Sequence, residues 1–139
     1  YGAAKMGVVG LMNTLKLEGA KYNIHTNSVA PTATTRMTEH LFPPEFAEKL
    51  DPKLIIPGVI FLASEKAPNG EILEVGGGVV ANTYVMETMG KYFGTDEKFT
   101  AEAVADAWSE VTDTTNAKRP FQGGDVALKH LETIGKTES

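Results

Sequence analysis

Two side chains near the start of the sequence could carry out proton transfer. Tyr1 and Lys5 stand four residues apart in the stretch YGAAKMGVVG, with small residues between them. Residues four apart on a helix lie on one face, about 5–6 Å apart at Cβ. An ammonium group close to a phenol favours the phenolate, so such a tyrosine can give or take a proton near neutral pH. The pair alone is far more often a surface contact, and only its surroundings can favour the catalytic interpretation.

The surroundings begin with a predicted helix over residues 1–21. Its apolar residues recur at spacings of three and four, as in Val8, Met12 and Leu15. The helix also contains several glycines, each of which costs up to about 1 kcal/mol relative to Ala. A helix that keeps them is expected to approach a partner helix, a sheet or a ligand closely.

Short strands are predicted at 24–29 and at 71–75. The first ends at a proline and the second at the glycines of 76–78, which we interpret as a tight exit from the last strand. A helix followed at once by a strand favours an α/β domain with parallel strands. The other predicted elements are four helices, at 44–50 within a long loop, at 52–65, at 100–111 and at 125–135. The last three have predicted N-caps, which are Asp51, Thr100 and Asp125, and the last helix is expected to stop at Gly135.

Composition excludes several classes of function. The 139 residues carry a formal net charge of −5, which argues against a nucleic-acid partner. The longest apolar runs are far shorter than the roughly 20 residues that span a bilayer, so no membrane partner is expected. The chain has no cysteine, and its three histidines, His25, His40 and His130, share no ligand spacing. We therefore expect no metal site.

Three blocks of the sequence together resemble the short-chain dehydrogenase/reductase family. They are YGAAK at 1–5, NSVAP at 27–31 and GEILEVGGG at 70–78, and they are similar to the C-terminal half of such an enzyme. The implied fold class is α/β, the C-terminal portion of a Rossmann-like doubly wound parallel sheet. The resemblance implies a Rossmann part at 1–80 and a helical C-terminal extension at 81–139.

The resemblance also implies roles for individual residues. Tyr1 is the catalytic acid and base, and Lys5 holds the nicotinamide ribose and supports the tyrosine. The segment after the first strand lines the nicotinamide and pyrophosphate of NAD, with NADP not excluded. These cofactor-binding residues are Tyr1, Lys5, Pro31, Thr32, Ala33, Thr34 and Thr35. The family often has Gly where this chain has Thr32, so the backbone contact at that position differs.

The segment at 30–45 and the tail are most similar to the hydroxyacyl-CoA dehydrogenases of this family, which serve peroxisomal fatty-acid β-oxidation and have bacterial relatives. This implies an acyl-CoA-type substrate and interconversion of 3-hydroxyacyl-CoA and 3-oxoacyl-CoA. It also implies a homodimer through helices 1–21 and 52–65. The location is then cytoplasmic in a bacterium and peroxisomal in a eukaryote.

Two alternatives remain open. One is another reductase of the family, for a 3-oxoacyl-carrier-protein or a steroid. Such enzymes usually stop soon after the last strand, so the tail beyond residue 80 distinguishes a hydroxyacyl-CoA dehydrogenase from them. The other is a non-catalytic fragment or assembly module. Because the family's Gly-rich dinucleotide loop and its catalytic Ser and Asn are absent from these 139 residues, we expect the chain alone to be inactive. In the tail, Lys118 and Arg119 are either a charged loop or a contact for a CoA phosphate.

Overall fold

Helix α1 spans Gly2–Ala20 in a computed structural model that describes residues 1–136. The prediction of a helix here is confirmed. The chain reverses directly after it: the N–H of Ile24 donates to the carbonyl of Gly19 at 3.1 Å, and Asn23 adopts a left-handed φ of 56°. A Cβ on Gly19 would lie 2.8 Å from the carbonyl oxygen of Ile24, so this reversal requires glycine.

Three strands form one sheet in the order β1-β2-β3. Strand β1 (Ser28–Pro31) is parallel to β2 (Ile72–Gly76), with Ser28 opposite Ile72 and Pro31 opposite Val75. The predicted position of the first strand, 24–29, is wrong, because residues 25–27 form side-chain hydrogen bonds with the segment before β2 and ladder pairing starts only at Ser28. The second strand lies one residue from its predicted position.

Strand β3 (Val79–Thr83) was not predicted. It runs antiparallel to β2, with Gly76 opposite Val79. Gly77 and Gly78 have φ values of 56° and 81°, the two consecutive left-handed residues of a two-residue hairpin turn. The interpretation of the glycines as an exit from the last strand is therefore wrong: Gly76 ends β2, and the other two join it to a further strand.

Helix α3 (Ile56–Leu62) contacts β2 at Gly58. It follows a 3-10 turn at Pro52–Ile55, where the Asp51 carboxylate accepts the N–H of Lys53 at 2.8 Å, as predicted for a cap. The helix stops short of the predicted residue 65. A Cβ on Gly58 would lie 2.6 Å from Val75, so the backbone of α3 rests directly on the sheet. The loop between β1 and this region contains a 3-10 turn at Glu39–Leu41 and the short helix α2 (Pro44–Ala47), which is briefer than predicted.

The second compact unit begins at Val85, directly after the first unit, Tyr1–Tyr84. Its helices are α4 (Ala101–Asp106), α5 (Trp108–Val111) and α6 (Gly123–Gly135). Thr100 caps α4 as predicted, by accepting the N–H of Ala103 at 3.2 Å. The single helix predicted at 100–111 breaks at Ala107, whose φ of −97° and ψ of 13° leave the helical region.

Helix α6 begins earlier than predicted. Its N-cap is Gln122, and Asp125 lies at the third helical position. From there the carboxylate accepts the N–H groups of Gln122 at 3.1 Å and Phe121 at 2.7 Å. Asp125 therefore satisfies donors at the start of the helix without being the cap residue itself.

No helix within residues 1–136 is both long enough and apolar enough to cross a membrane.

The side chain of Asn27 connects the segment before β1 to the segment before β2 by two hydrogen bonds. It donates to the carbonyl of Pro68 at 2.7 Å and accepts the N–H of Glu71 at 2.9 Å. Asn27→Asp keeps the acceptor but places a carboxylate against a carbonyl in a partly buried position. We expect the free energy of unfolding to fall by about 1–3 kcal/mol, measured by denaturant titration.

Asn13→Asp is the matched control, because Asn13 is exposed on α1 and its side chain makes no hydrogen bond within residues 1–136. An equal loss of stability in both variants would contradict the structural role of Asn27.

Candidate active site

Tyr1 and Lys5 lie together at the start of α1. Tyr1 is the residue before the first helical turn and its surface is 92% exposed. The Lys5 ammonium nitrogen is 5.2 Å from the centre of the Tyr1 ring, and the Lys5 N–H donates to the Tyr1 carbonyl at 3.1 Å. A cation at this distance over an aromatic face is attracted to the ring. The phenol and the ammonium are thus adjacent, and both are open to a ligand.

This pair continues the face of α1 that is buried. Residues at spacings of four, four, three and four share one side of a helix. The residues in this series are Tyr1, Lys5, Val9, Met12 and Lys16. Met12 is 4% and Lys16 2% exposed. Tyr1 and Lys5 therefore point to the side of α1 on which its buried residues lie.

The predicted cofactor residues after β1 form an ordered loop. The N–H of Thr32 continues the ladder by donating to Val75 at 2.9 Å. Thr34 makes two hydrogen bonds: its N–H donates to the carbonyl of Leu50 at 2.8 Å, and its hydroxyl donates to the carbonyl of Ala47 at 2.9 Å. These bonds hold the start of the loop at the carboxyl ends of two parallel strands, the place where open α/β sheets bind ligands.

Thr38 closes the same loop. Its hydroxyl donates to the carbonyl of Ala33 at 2.7 Å and accepts the N–H of Thr35 at 2.8 Å. In the segment 31–35, the N–H of Ala33 and the hydroxyl of Thr32 have no partner among residues 1–136. Ala33 and Thr32 therefore offer the loop's available donors to a bound ligand.

Gly76 allows this loop to lie directly against the end of β2. A Cβ built on Gly76 would overlap the carbonyl oxygen of Thr32 and would lie 2.8 Å from the Cβ of Thr32. Any side chain at position 76 must therefore displace the backbone of the loop. Gly77 and Gly78, in contrast, lead into a strand and not into a helix, so these glycines do not form a dinucleotide loop, in agreement with the prediction.

The structure brings the predicted residues into two groups. One is the pair Tyr1 and Lys5, and the other is the segment 31–35. Within residues 1–136 no hydrogen bond or ion pair joins the two groups. A helical rise of 1.5 Å per residue places Tyr1 about 22 Å along α1 from Lys16, which lies beside the amino end of β2.

Sequence reasoning missed the residues that hold these groups in place. Thr38 organises the loop, although it carries no signal beyond its spacing from Thr35. Asn69 stands before Gly70 in an Asn-Gly pair, which is typical of a turn, and its side chain bonds to α1 and to the segment before β1. Lys16 looks like a surface lysine in the sequence, and it is buried.

The remaining charged candidates are paired. Lys118 bonds to Glu132 at 2.6 Å, and its backbone pairs with Glu87 beside a cavity of about 270 Å³. The hydrogen bond from Lys118, and then the one from Lys136, hold the pKa of the Glu132 carboxyl below its ordinary value. The Lys118 ammonium is thus an exposed group held in an ion pair. Within residues 1–136 no three His, Asp or Glu side chains come together as metal ligands.

Known proteins resemble this chain over different lengths. Residues 1–45 match the family model described as short chain dehydrogenase. A short-chain type dehydrogenase/reductase of Mycobacterium tuberculosis is 49% identical over 119 residues, covering 85% of this chain and 41% of the relative. The peroxisomal multifunctional enzyme type 2 of Mus musculus is 41% identical over 137 residues, covering 94% of this chain and 19% of that enzyme. The 3-oxoacyl-[acyl-carrier-protein] reductase of Vibrio harveyi is 37% identical over 91 residues, covering 57% of this chain and 37% of the reductase.

A solved structure shows the same fold. Full-length peroxisomal multifunctional enzyme type 2 from Drosophila melanogaster aligns with a TM-score of 0.81 at 33% identity, over 98% of this chain and 25% of that one. The predicted fold class, the C-terminal portion of a Rossmann-like doubly wound sheet with a helical extension, is confirmed by this likeness. The chain spans 41% and 19% of the length of the mycobacterial and mouse relatives.

Proposed function

Because this chain belongs to the short-chain dehydrogenase/reductase family, we propose that it supplies the proton-transfer half of a nicotinamide-dependent oxidoreductase site. The observation that carries the proposal is the adjacency of Tyr1 and Lys5, 5.2 Å from ring centre to ammonium, on the face of α1 that also carries the buried residues. The chain is proposed to work as part of a longer enzyme, since it spans less than half of the relatives described above.

The proposed reaction interconverts a 3-hydroxyacyl-CoA and a 3-oxoacyl-CoA. A nicotinamide bound by Lys5 and the loop after β1 would supply the hydride acceptor, and in reverse the hydride donor, for the substrate C3. Tyr1 takes the hydroxyl proton in oxidation and returns it to the carbonyl oxygen in reduction. Lys5 lies with its ammonium over the Tyr1 ring and would hold the nicotinamide ribose through its ammonium donors.

The loop after β1 fits the proposed cofactor. A carboxamide and a pyrophosphate need hydrogen-bond donors, and the N–H of Ala33 and the hydroxyl of Thr32 are both available. Pro31, Thr34 and Thr35 fix the loop in place. NAD is the proposed cofactor.

The acyl-CoA assignment rests on how far the similarity extends along the chain. The mouse multifunctional enzyme matches 94% of the chain, which includes most of the tail beyond residue 80. The carrier-protein reductase matches only 57%. The tail thus favours a hydroxyacyl-CoA dehydrogenase over a plain reductase. The proposed location is peroxisomal if the source is a eukaryote and cytoplasmic if it is a bacterium.

A homodimer through α1 and α3 is part of the proposal. Each helix leaves a stripe of apolar side chains exposed beside its buried face. These are Val8, Leu11 and Leu15 on α1, between 40% and 58% exposed, and Ile56, Val59 and Ile60 on α3, between 46% and 63% exposed. Contiguous apolar stripes of this kind mark protein interfaces.

The assay that tests the proposed reaction uses the complete enzyme that contains this chain. With NAD⁺ and 3-hydroxybutyryl-CoA we expect NADH to form, and with the matching carrier-protein thioester or a steroid alcohol we expect much slower turnover. Preference for the carrier-protein thioester would instead assign the chain to the reductases.

The isolated 139-residue chain is expected not to bind NADH with measurable affinity. The Gly-rich segment at 76–78 forms a strand end and a hairpin turn that leads into β3, so these glycines present no helix N-terminus to the pyrophosphate. Titration of NADH should give no saturable change in nicotinamide fluorescence. A saturable change would show that these residues suffice for cofactor binding.

A further inference from the structure

One amide side chain connects α1 to the segments that precede both parallel strands. Asn69 accepts the N–H of Thr26, before β1, at 2.9 Å, and donates to the carbonyl of Lys16, in α1, at 3.0 Å. Asn69 itself lies just before β2. Its two hydrogen bonds therefore fix the position of α1 along the helix axis relative to both β1 and β2.

The space beside Asn69 is filled by the side chain of Lys16. Lys16 is 2% exposed, and it is the one charged residue that is buried among those the structure describes. Gly70 makes room for it: a Cβ on Gly70 would overlap the Cδ of Lys16 and would lie 3.3 Å from its ammonium nitrogen. Gly70 also has a left-handed φ of 85° and donates its N–H to Thr26 at 2.9 Å. Sliding or rotation of α1 would break this fit.

The same helix carries the proposed catalytic pair. Lys16 shares its face with Tyr1 and Lys5, and between them α1 is a continuous helix from Gly2 to Ala20. A helix of this length moves as a unit, so a shift at Lys16 is transmitted to Tyr1. A misplacement of about 1 Å in a reacting group can lower a rate by roughly 10²-fold.

We propose that Asn69 is a positioning residue, which holds α1 so that Tyr1 and Lys5 stand at a productive distance from the Thr32–Thr35 loop. This inference rests on the proposed function. Asn69 does not touch the reacting atoms; it acts through the carbonyl of Lys16 and the placement of α1.

Asn27 provides a matched control. Asn69 and Asn27 each make one donated and one accepted hydrogen bond near the amino ends of β1 and β2. Only Asn69 bonds to α1; Asn27 bonds to Pro68 and Glu71. Asn69→Asp and Asn27→Asp each keep the accepted bond and lose the donated one, so they differ in whether the lost bond reaches the catalytic helix.

The two variants are compared in the complete enzyme by kcat, KM for NAD⁺ and Tm. For Asn69→Asp we expect kcat to fall about 10–100-fold with the KM for NAD⁺ within about twofold of the wild-type value. For Asn27→Asp we expect a similar fall in Tm and a kcat within about twofold of the wild-type value. If either Asp variant does not fold, the Asn69→Ala and Asn27→Ala pair answers the same question.

Equal losses of kcat in the two variants, or an unchanged kcat in Asn69→Asp, would overturn the positioning role. Tyr1→Phe measured in the same assay separates this outcome from failure of the proposed function. A large loss in Tyr1→Phe with no difference between the two asparagine variants rejects the positioning role alone. An unchanged rate in Tyr1→Phe rejects the proposed role of Tyr1 itself.

Discussion

Tyr1→Phe is expected to lower kcat of the complete enzyme by about 10²–10⁴-fold, the usual range for loss of a positioned acid or base. Phe keeps the aromatic ring beneath the Lys5 ammonium, so the local packing and the cation–ring contact are preserved. Only the group that carries the proton is removed. The measurement is kcat with NAD⁺ and 3-hydroxybutyryl-CoA, together with the Kd of NADH, which should remain within about twofold of its original value.

Tyr22→Phe is the control for this substitution. Tyr22 is also exposed and also lies beneath a lysine, with the Lys21 ammonium 4.9 Å from its ring centre. It lies just past the other end of α1, and its loss should leave kcat unchanged. A full rate in Tyr1→Phe, or an equal loss in both variants, would contradict the assignment of Tyr1 as the acid and base.

Gly76→Ala is expected to weaken NADH binding by the complete enzyme about tenfold or more, equivalent to at least about 1.4 kcal/mol. The added methyl group would overlap the carbonyl oxygen of Thr32, and a backbone atom cannot move aside as a flexible side chain can. The loop that begins at Thr32 must therefore shift, and its donors with it. Overpacking of this kind also lowers the free energy of unfolding by about 1–3 kcal/mol. Fluorescence titration of NADH and denaturant titration measure the two effects.

Gly124→Ala is the control for the glycine substitution. A Cβ at Gly124 meets no atom within 4 Å, and its φ is not in the left-handed region. Both NADH affinity and stability should be retained in this variant. Normal NADH affinity in Gly76→Ala would show that the loop tolerates the displacement or does not contact the cofactor.

Local sequence features predicted the parts of the site that depend on local interactions. Tyr1 and Lys5 face the same way because a spacing of four is one helical turn, and the apolar repeat in α1 was long enough to identify that helix. The caps at Asp51 and Thr100 were predicted for the same reason, since a cap is set by a side chain and the N–H groups two or three residues later.

Features that depend on distant partners were not predictable. Asn69 and Lys16 meet across more than fifty residues of sequence. The sequence also does not show that a particular lysine, such as Lys16, is buried. Strand β3 was missed for a different reason. Its residues alternate weakly, and the signal lay in the two glycines before it, whose positive φ values define a hairpin.

The hairpin of β2 and β3 has a consequence for the order in which the sheet folds. Its strands are joined by two residues, and hairpins of this kind form in about 1–10 μs. Pairing of β1 with β2 must close the loop of residues 32–71, which is entropically costly and slow by comparison. We therefore expect the hairpin to form first and to serve as the template on which β1 docks. Strand β3, which carries no candidate site residue, then contributes to function through the folding pathway, by presenting β2 already paired when the loop after β1 is assembled.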